Sequence, residues 1–470
     1  MIPTLILLLL ASATPTLFRV AVLQSDGDEL PAQTCEQALV EGINYIDAIP
    51  APSPPPFPLP VTAAPKIKPP KKLPIIVATE NKRIYPRGYM PEDLPLQPFE
   101  GNAEDISKIG SVMREAMAGK RTRISVFGAS HTEGDYWTGH IRRLLQSRYG
   151  DIGHGFIMPA SMFSRTRAND INKCSTNTWL TDFVGKKEGH NDDLFGIGMT
   201  ASSSDPLDFG WIETTHTNPF GRHVAFYDIF TLIQPTGGTL MAALDRQNPI
   251  LIPTNGPRTL FQHTRIETKE APHRLTLSPA GDGTVRLFGM SAESSGPGVL
   301  VDAIGIRGRE AKTWLKWNTS LFQQVYRALQ PDIVVLAYGT NEANAIDYSM
   351  ERYAKDLRKV LQKLRNVDPT VGCILVGPSD RGKRVKRHKN KFKVWSRTAM
   401  VADVQRTVAP EYGCVFWDWQ QATGGEGSMI AWRYTNPPLA AKDMIHFSAA
   451  GYVHSAQQFI AALDNALENY

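Results

Sequence analysis

Three short stretches of this 470-residue chain carry side chains that a packed core has no use for: Gly128-Ala129-Ser130, Gly339-Thr340-Asn341-Glu342 and Asp443-Met444-Ile445-His446. A serine hydroxyl is a poor nucleophile at neutral pH. It needs an imidazole within hydrogen-bond reach, and the imidazole needs a partner to orient it. Asp443 and His446, three residues apart, can supply both. The Asn341 amide can supply one of the donors that an acyl-transfer oxyanion requires, beside backbone N–H groups. Each stretch also has a plainer reading. Ser130 can cap a helix, Asn341 can hold its own turn, and Asp443 with His446 can be a cap and a solvated ring. The same spacing recurs at Asp151 and His154, so it arises by chance.

The elements that must position these residues are legible as periodicities. RISVFG (123–128) is an apolar strand ending at the first stretch. Before it, AEDISKIGSVMREAM repeats Ile106, Ile109, Val112, Met113 and Met117 at helical steps. After it, DYWTGHIRRLLQSRYG places Trp137, Ile141, Leu144 and Leu145 on one face and stops at Gly150. Beyond residue 300, helices and apolar strands alternate: KTWLKWNTSLFQQVYRALQ, DIVVLAYG, YSMERYAKDLRKVLQKLRN, TVGCILVG, a helix near 392–407, GCVFWDW and SAAGYVHSAQQFIAALDNAL. Apolar strands separated by helices imply a parallel sheet covered on both faces. In such a sheet, sites form at the carboxyl ends of the strands. Between 161 and 299 the texture changes to short alternating runs with turn residues. That stretch reads as an inserted all-β sandwich or jelly roll. Within it, HRLTLSPAGDGTVRLFG predicts a hairpin turning at Gly281-Asp282-Gly283.

The N-terminus, residues 1–23, has an apolar run and an Ala11-Ser12-Ala13 cleavage-like site, with no basic residue before Arg19. It reads as a signal peptide or a single membrane anchor. Residues 24–75 form a linker whose stretch 50–74 holds eleven prolines, which can sustain neither a ladder nor a helix interior. The expected globular organisation is then a hydrolase domain in two pieces, 76–160 and 300–470, around the insertion. A net charge of +5 spread over this length is no nucleic-acid signature. The four cysteines lack C-x-x-C spacing, so a zinc ribbon is not expected. Cys373 and Cys414 lie in apolar runs and read as packed thiols, with a disulfide as the alternative.

Taken in order, GASHTEGDYWTG, RYGDIGHGF, AIGIRGRE, LAYGTNEAN, FWDW and DMIHFSAAGY resemble the SGNH (GDSL-type) serine esterases, most nearly the peptidoglycan O-acetylesterase branch. The resemblance covers about 105–160 and 300–468, and the insertion falls where that branch carries a carbohydrate-binding-like module. It implies a three-layer α/β SGNH-hydrolase fold. Ser130 would be the nucleophile, His446 the base and Asp443 its orienter. Oxyanion donors would be the Ser130 and Gly308 N–H groups and Asn341, with Gly305 a competitor for Gly308. It further implies no cofactor, no metal, an acetylated polysaccharide or peptidoglycan as substrate, and a monomer exported to the periplasm, cell envelope or medium. Nucleic acid is not an expected partner, and membrane contact is expected only through the N-terminal anchor. Two departures stand out: Ala129 replaces the usual Asp, and Glu342 replaces the Asp that usually ends the third block. A triad imidazole acts as base only when neutral, so activity is expected to rise through about pH 6.5. Two rivals keep the same residues: an O-acetyltransferase that passes the acyl group to a sugar hydroxyl, and a non-catalytic glycan binder on a degenerate scaffold.

Other features have weaker chemical readings. His131-x-Glu133 lacks the P-C-x-x-C of zinc deaminases, and the absence of G-x-S-x-G argues against an α/β-hydrolase elbow. RGKRVKRHKNK (381–391) holds seven Lys or Arg residues and reads as a solvated loop or a contact for an anionic polymer. Trp179 and Trp211 either stack on sugars or pack inside the β module.

Overall fold

A computed structural model of the chain describes residues 17–21, 94–163, 168–186, 189–214, 219–245, 247–384 and 392–470. The proline-rich linker, most of the N-terminal segment and the tip of the basic run lie outside these residues. Five parallel strands form one sheet in the spatial order Gly298–Gly305, Arg121–Gly128, Ile333–Ala337, Gly372–Val376 and Val415–Trp417. These strands are apolar and almost wholly buried, because helices cover both faces. On one face the helices Thr319–Leu329, Met350–Val367 and Arg397–Val408 pack through Phe322, Val325, Leu357, Val360, Leu361 and Val401. On the other, Ala103–Met117, Tyr136–Tyr149 and Ala449–Asn469 pack through Ile106, Ile109, Trp137, Ile141, Phe459 and Ile460. The expected three-layer α/β arrangement is the one observed.

The insertion folds as two further sheets. One contains Gly153–Ile157, Leu180–Phe183, Met199–Ser203, Val224–Ile233, Leu260–Ala271 and Val285–Glu293, with Leu17–Ala21 parallel to Leu260–Ala271 at its edge. The other contains Asn172–Ser175, Gly210–Glu213, Thr239–Leu244, Ile250–Pro253 and Arg274–Pro279. Between them lies a core built on Tyr227, Ile229, Leu240, Ile252, Leu275, Leu277 and Leu287. The strand Gly153–Ile157 thus pairs with the β module, although the helix before it covers the parallel sheet.

Several expectations from local pattern need correction. Arg274–Pro279 and Val285–Glu293 do not form a hairpin: they join different sheets, and Gly281 (φ +89°) and Gly283 (φ +158°) turn the chain from one layer to the other. Alternation identifies a half-buried strand but not its partner. The segment 312–330 is not one helix. A 3-10 turn, Ala311–Lys316, ends before Asn318, whose side chain accepts the Leu321 N–H at 3.1 Å and starts the helix Thr319–Leu329 anew. The helix expected near 392 begins at Arg397, because Phe392–Val394 pairs with Gly382–Arg384 as a small hairpin. Trp179 (4% exposed) stacks on Phe163, and Trp211 (5% exposed) lies under Arg274, so both serve the module's packing and not sugar stacking. Among the described residues no helix is long and apolar enough to cross a membrane.

Cys373 and Cys414 are not packed thiols but a disulfide, with Cα atoms 4.6 Å apart on neighbouring strand starts. Adjacent parallel strands bring two residues 41 positions apart into bonding range, which no local pattern announces. Closing a loop of that length restricts the unfolded chain by roughly 4 kcal/mol in the chain-entropy description. The Cys373→Ala, Cys414→Ala double variant is therefore expected to lose about that much stability, read from urea midpoints. Loss of less than about 1 kcal/mol would show that the crosslink constrains little.

Candidate active site

The site grows from three neighbouring strand ends. Gly128 pairs with Gly305 on one side and with Ala337 on the other, so the three segments that follow leave the sheet side by side. From Gly128 the chain turns through Ala129 into the short helix Ser130–Glu133. Glycine is needed at 128, since a Cβ there would lie 2.1 Å from Thr132 Oγ1. It is needed at 305 for the same reason, where a Cβ would meet the Glu133 backbone N at 2.1 Å. Gly305 is thus a packing residue. Gly308 stands three residues later in the loop, with φ +72° and open space around it.

Ser130 sits at the first helical position, with Ala129 as the cap residue, so its hydroxyl is not spent on capping. Instead, Ser130 Oγ lies 2.8 Å from His446 Nε2. His446 Nδ1 lies 2.7 Å from Asp443 Oδ2. The other carboxylate oxygen, Oδ1, accepts the backbone N–H groups of Ile445 and His446, both at 3.0 Å. These bonds close the loop upon itself and fix the ring's orientation before any substrate arrives. Partial burial pushes the Asp443 pKa up, but the hydrogen bonds from His446 and the two amides outweigh it and hold the carboxyl well below the ordinary carboxylate range.

Asn341 follows the strand Ile333–Ala337 in the helix Thr340–Asn344. One of its two amide hydrogens goes to the Arg309 carbonyl at 2.9 Å, which ties this helix to the Gly308 loop and leaves the other for a ligand. Glu342 makes a second tie. Fully buried, it accepts the Gly339 N–H at 3.0 Å and the Ala311 N–H at 2.8 Å. Burial raises its pKa to about 7 against the pull of those donors. Ala129 lies in an apolar cluster with Phe127, Trp314 and Trp317. At this position the loop is held by packing and by the Ala129 carbonyl, which accepts the Thr132 and Glu133 N–H groups at 3.1 and 2.8 Å.

His131, weighed in the sequence only as part of a metal pattern, has a different place. It is buried with its ring centroid 4.9 Å from that of His446, and Nδ1 lies 2.9 Å from the Tyr452 hydroxyl. Burial, with the neighbouring His446, drives its pKa down to about 3, so it packs beside the working ring as an uncharged platform. Among the described residues no cluster of His, Cys, Asp or Glu could hold a metal. The duplicate pair is structural: Asp151 accepts the Gly153 and Gly221 N–H groups at 2.9 and 2.7 Å, while His154 is buried near Asp135 and Arg142.

This arrangement can pass a proton from a serine hydroxyl to an oriented imidazole, and the Asn341 amide follows the adjacent strand end with one N–H left over. Removing one oxyanion donor costs about 10²- to 10³-fold in kcat. Asn341→Ala is expected to fall in that range on a small acetyl ester; a loss below threefold would exclude the amide from the oxyanion site.

A parallel sheet with a Ser-His-Asp arrangement at its carboxyl edge defines the class, a carboxylic-ester hydrolase. More particularly, residues 279–453 match the model of the GDSL-like Lipase/Acylhydrolase family, so the chain carries a GDSL-like acylhydrolase domain. That match includes Gly308, Asn341, Asp443 and His446, while Ser130 lies outside it on the far side of the inserted module. Among solved structures, one described as "Peptidoglycan O-acetylesterase in action, 5 min" has 24% identity and a TM-score of 0.66, over 80% of this chain and 100% of that one. That likeness shows a shared fold over four fifths of the chain. The acetyl xylan esterase AlAXEase (17% identity, TM-score 0.26, 35% of this chain and 80% of that one) also matches. So does a family two carbohydrate esterase from Cellvibrio japonicus (9% identity, TM-score 0.26, 63% of this chain and 98% of that one). None of the curated proteins compared with the chain matches it.

Proposed function

We propose that the protein is an exported serine esterase that removes O-acetyl groups from a polysaccharide, with O-acetylated peptidoglycan as its substrate. The observation that carries this reading is the unbroken hydrogen-bond series Ser130–His446–Asp443. In the first half-reaction Ser130 Oγ attacks the acetyl carbonyl carbon and its proton moves to His446 Nε2. The oxyanion is received by the Ser130 and Gly308 N–H groups and Asn341 Nδ2. Collapse breaks the ester C–O bond, and His446 returns the proton to the departing sugar oxygen. Water then attacks the acetyl-serine by the same route, giving acetate and free Ser130.

The fold shared with a structure described as a peptidoglycan O-acetylesterase supports a glycan substrate. Export is supported by the apolar N-terminus and by the Cys373–Cys414 disulfide, since structural disulfides persist in oxidising compartments. The experiment is direct. Purified protein incubated with O-acetylated peptidoglycan is expected to release acetate stoichiometric with the loss of 42-dalton acetyl increments in fragment mass spectra, roughly one acetate per ester lost. Intact acetyl increments, with no acetate released, would remove peptidoglycan as the substrate.

A further inference from the structure

The basic run that follows the strand Gly372–Val376 is joined to both halves of the site. Its described part ends in the strand Gly382–Arg384, which pairs with Phe392–Val394 just after the run. On one side, the Gly382 N–H donates to the Met444 carbonyl at 3.0 Å, inside the loop that carries Asp443 and His446. On the other, Trp395 Nε1 donates to the Ala343 carbonyl at 2.7 Å, in the helix that carries Asn341. Arg397 strengthens that second tie through the Ala345 and Tyr348 carbonyls at 3.0 and 2.8 Å. The base of the hairpin is therefore tied to both segments that carry site residues.

Among the described residues, Arg381, Lys383 and Lys393 have no ion-pair partner. Lys383 and Lys393 stand directly opposite each other on the paired strands, both exposed. Like charges in that position destabilise a hairpin unless an anion lies between them. The Lys383 ammonium lies 4.1 Å from the centroid of the Trp395 ring. Arg381 is half-buried beside the same ring, its guanidinium 5.8 Å from the centroid, and its Nε is buried with no hydrogen-bond acceptor. Asp443, the carboxylate whose charge acts on Arg381, is hydrogen-bonded to His446 and not to the guanidinium. An unsatisfied, partly desolvated guanidinium next to two unpaired ammonium groups is matched by a carboxylate, which guanidinium binds in bidentate fashion.

We propose that the hairpin face formed by Arg381, Lys383 and Lys393 beside Trp395 is a subsite for a carboxylate of an acidic glycan, held while the acyl ester of the same strand lies over Ser130. The inference rests on the acyl-hydrolase reading for what occupies Ser130, and it adds the charge of the substrate. A carboxylate can come from lactyl or peptide groups or from a uronic acid, and the two sources are separable.

The test measures binding on full-length Ser130→Ala protein, which holds acetylated ligands without turnover, by calorimetry at low and high salt. The ligands are an O-acetylated muropeptide chain, an O-acetylated uronate oligosaccharide and a neutral O-acetylated xylo-oligosaccharide. At least one acidic ligand is expected to bind ten times more tightly than the neutral one, on the order expected for a charge-assisted bidentate pair, and which one identifies the source. Adding Arg381→Gln is expected to abolish that preference, Arg381→Lys to retain part of it, and the exposed change Lys383→Ala to reduce it and flatten its salt dependence. Equal binding of acidic and neutral ligands overturns the proposal, as does a preference that survives both Arg381→Gln and Lys383→Ala. Turnover of a small neutral acetyl ester by protein with Ser130 intact reports separately on the esterase reading, so the two can fail independently.

Discussion

Ser130→Ala is expected to lower kcat on a small acetyl ester by about 10⁴-fold or more while leaving the folded state almost unchanged. The size follows from the chemistry: without Oγ there is no covalent intermediate, and only the oxyanion donors and substrate binding remain to assist water. The unchanged stability follows from the structure. Ser130 makes no cap hydrogen bond, because Ala129 occupies the cap position, so the loss of about 1 kcal/mol that accompanies removal of a capping side chain does not apply. The variant therefore separates the two readings that Ser130 permits. A catalytic serine gives a large kinetic loss at constant melting temperature, and a capping serine gives the reverse. Kinetics on a chromogenic acetyl ester, with a thermal melt of the same preparation, make the measurement; activity within tenfold of wild type would sink the assignment.

Asp443→Asn is expected to cost roughly 10³- to 10⁴-fold in kcat. The carboxylate is the acceptor for His446 Nδ1 at 2.7 Å and for two backbone amides at 3.0 Å. An asparagine can keep the amide contacts through its carbonyl oxygen, but it then presents an NH₂ group to Nδ1. That favours the ring tautomer with hydrogen on Nε2, which cannot take the proton of Ser130. Asp443 is 45% exposed, so water partly replaces the lost acceptor and the effect should not exceed this range. The pH dependence has a definite sign. The carboxyl pKa is depressed in the folded protein, so the anchoring interaction is fully present above the ordinary carboxylate range and is lost only as the pH falls through the lowered value. Loss of wild-type activity on mild acidification must therefore come from a group other than Asp443. Kinetic titration of wild type and variant between pH 4 and 9, roughly the span around the ordinary imidazole and carboxylate values, checks this. An Asp443→Asn enzyme within tenfold of wild type would leave His446 without need of an orienter.

Glu342 shows how a departure from the family pattern can be read. In sequence it is one methylene too long for the aspartate expected there. In the structure that extra length lets one carboxylate span Gly339 and Ala311, binding the Asn341 helix to the segment just past Gly308. Ala129 is the opposite case: a carboxylate is absent, and apolar packing fills its place.

Local order determined much of this protein by itself. Helical and strand periods placed the covering helices and the parallel strands, since each buries one continuous apolar surface. The order of the three polar stretches pointed to Ser130, Asn341, Asp443 and His446 before any distance was known. What only the tertiary structure decided involves residues distant in the chain or strands without a unique local partner. The register that sets Gly305, Gly128 and Ala337 abreast comes from the sheet, and so does the meeting of Cys373 with Cys414. Arg274–Pro279 and Val285–Glu293 look like a hairpin, yet each buries its apolar face better in a different layer. The neighbours of His131 and Arg381 were invisible for the same reason: a side chain's environment is built by other segments, and periodicity reports burial without naming what lies opposite.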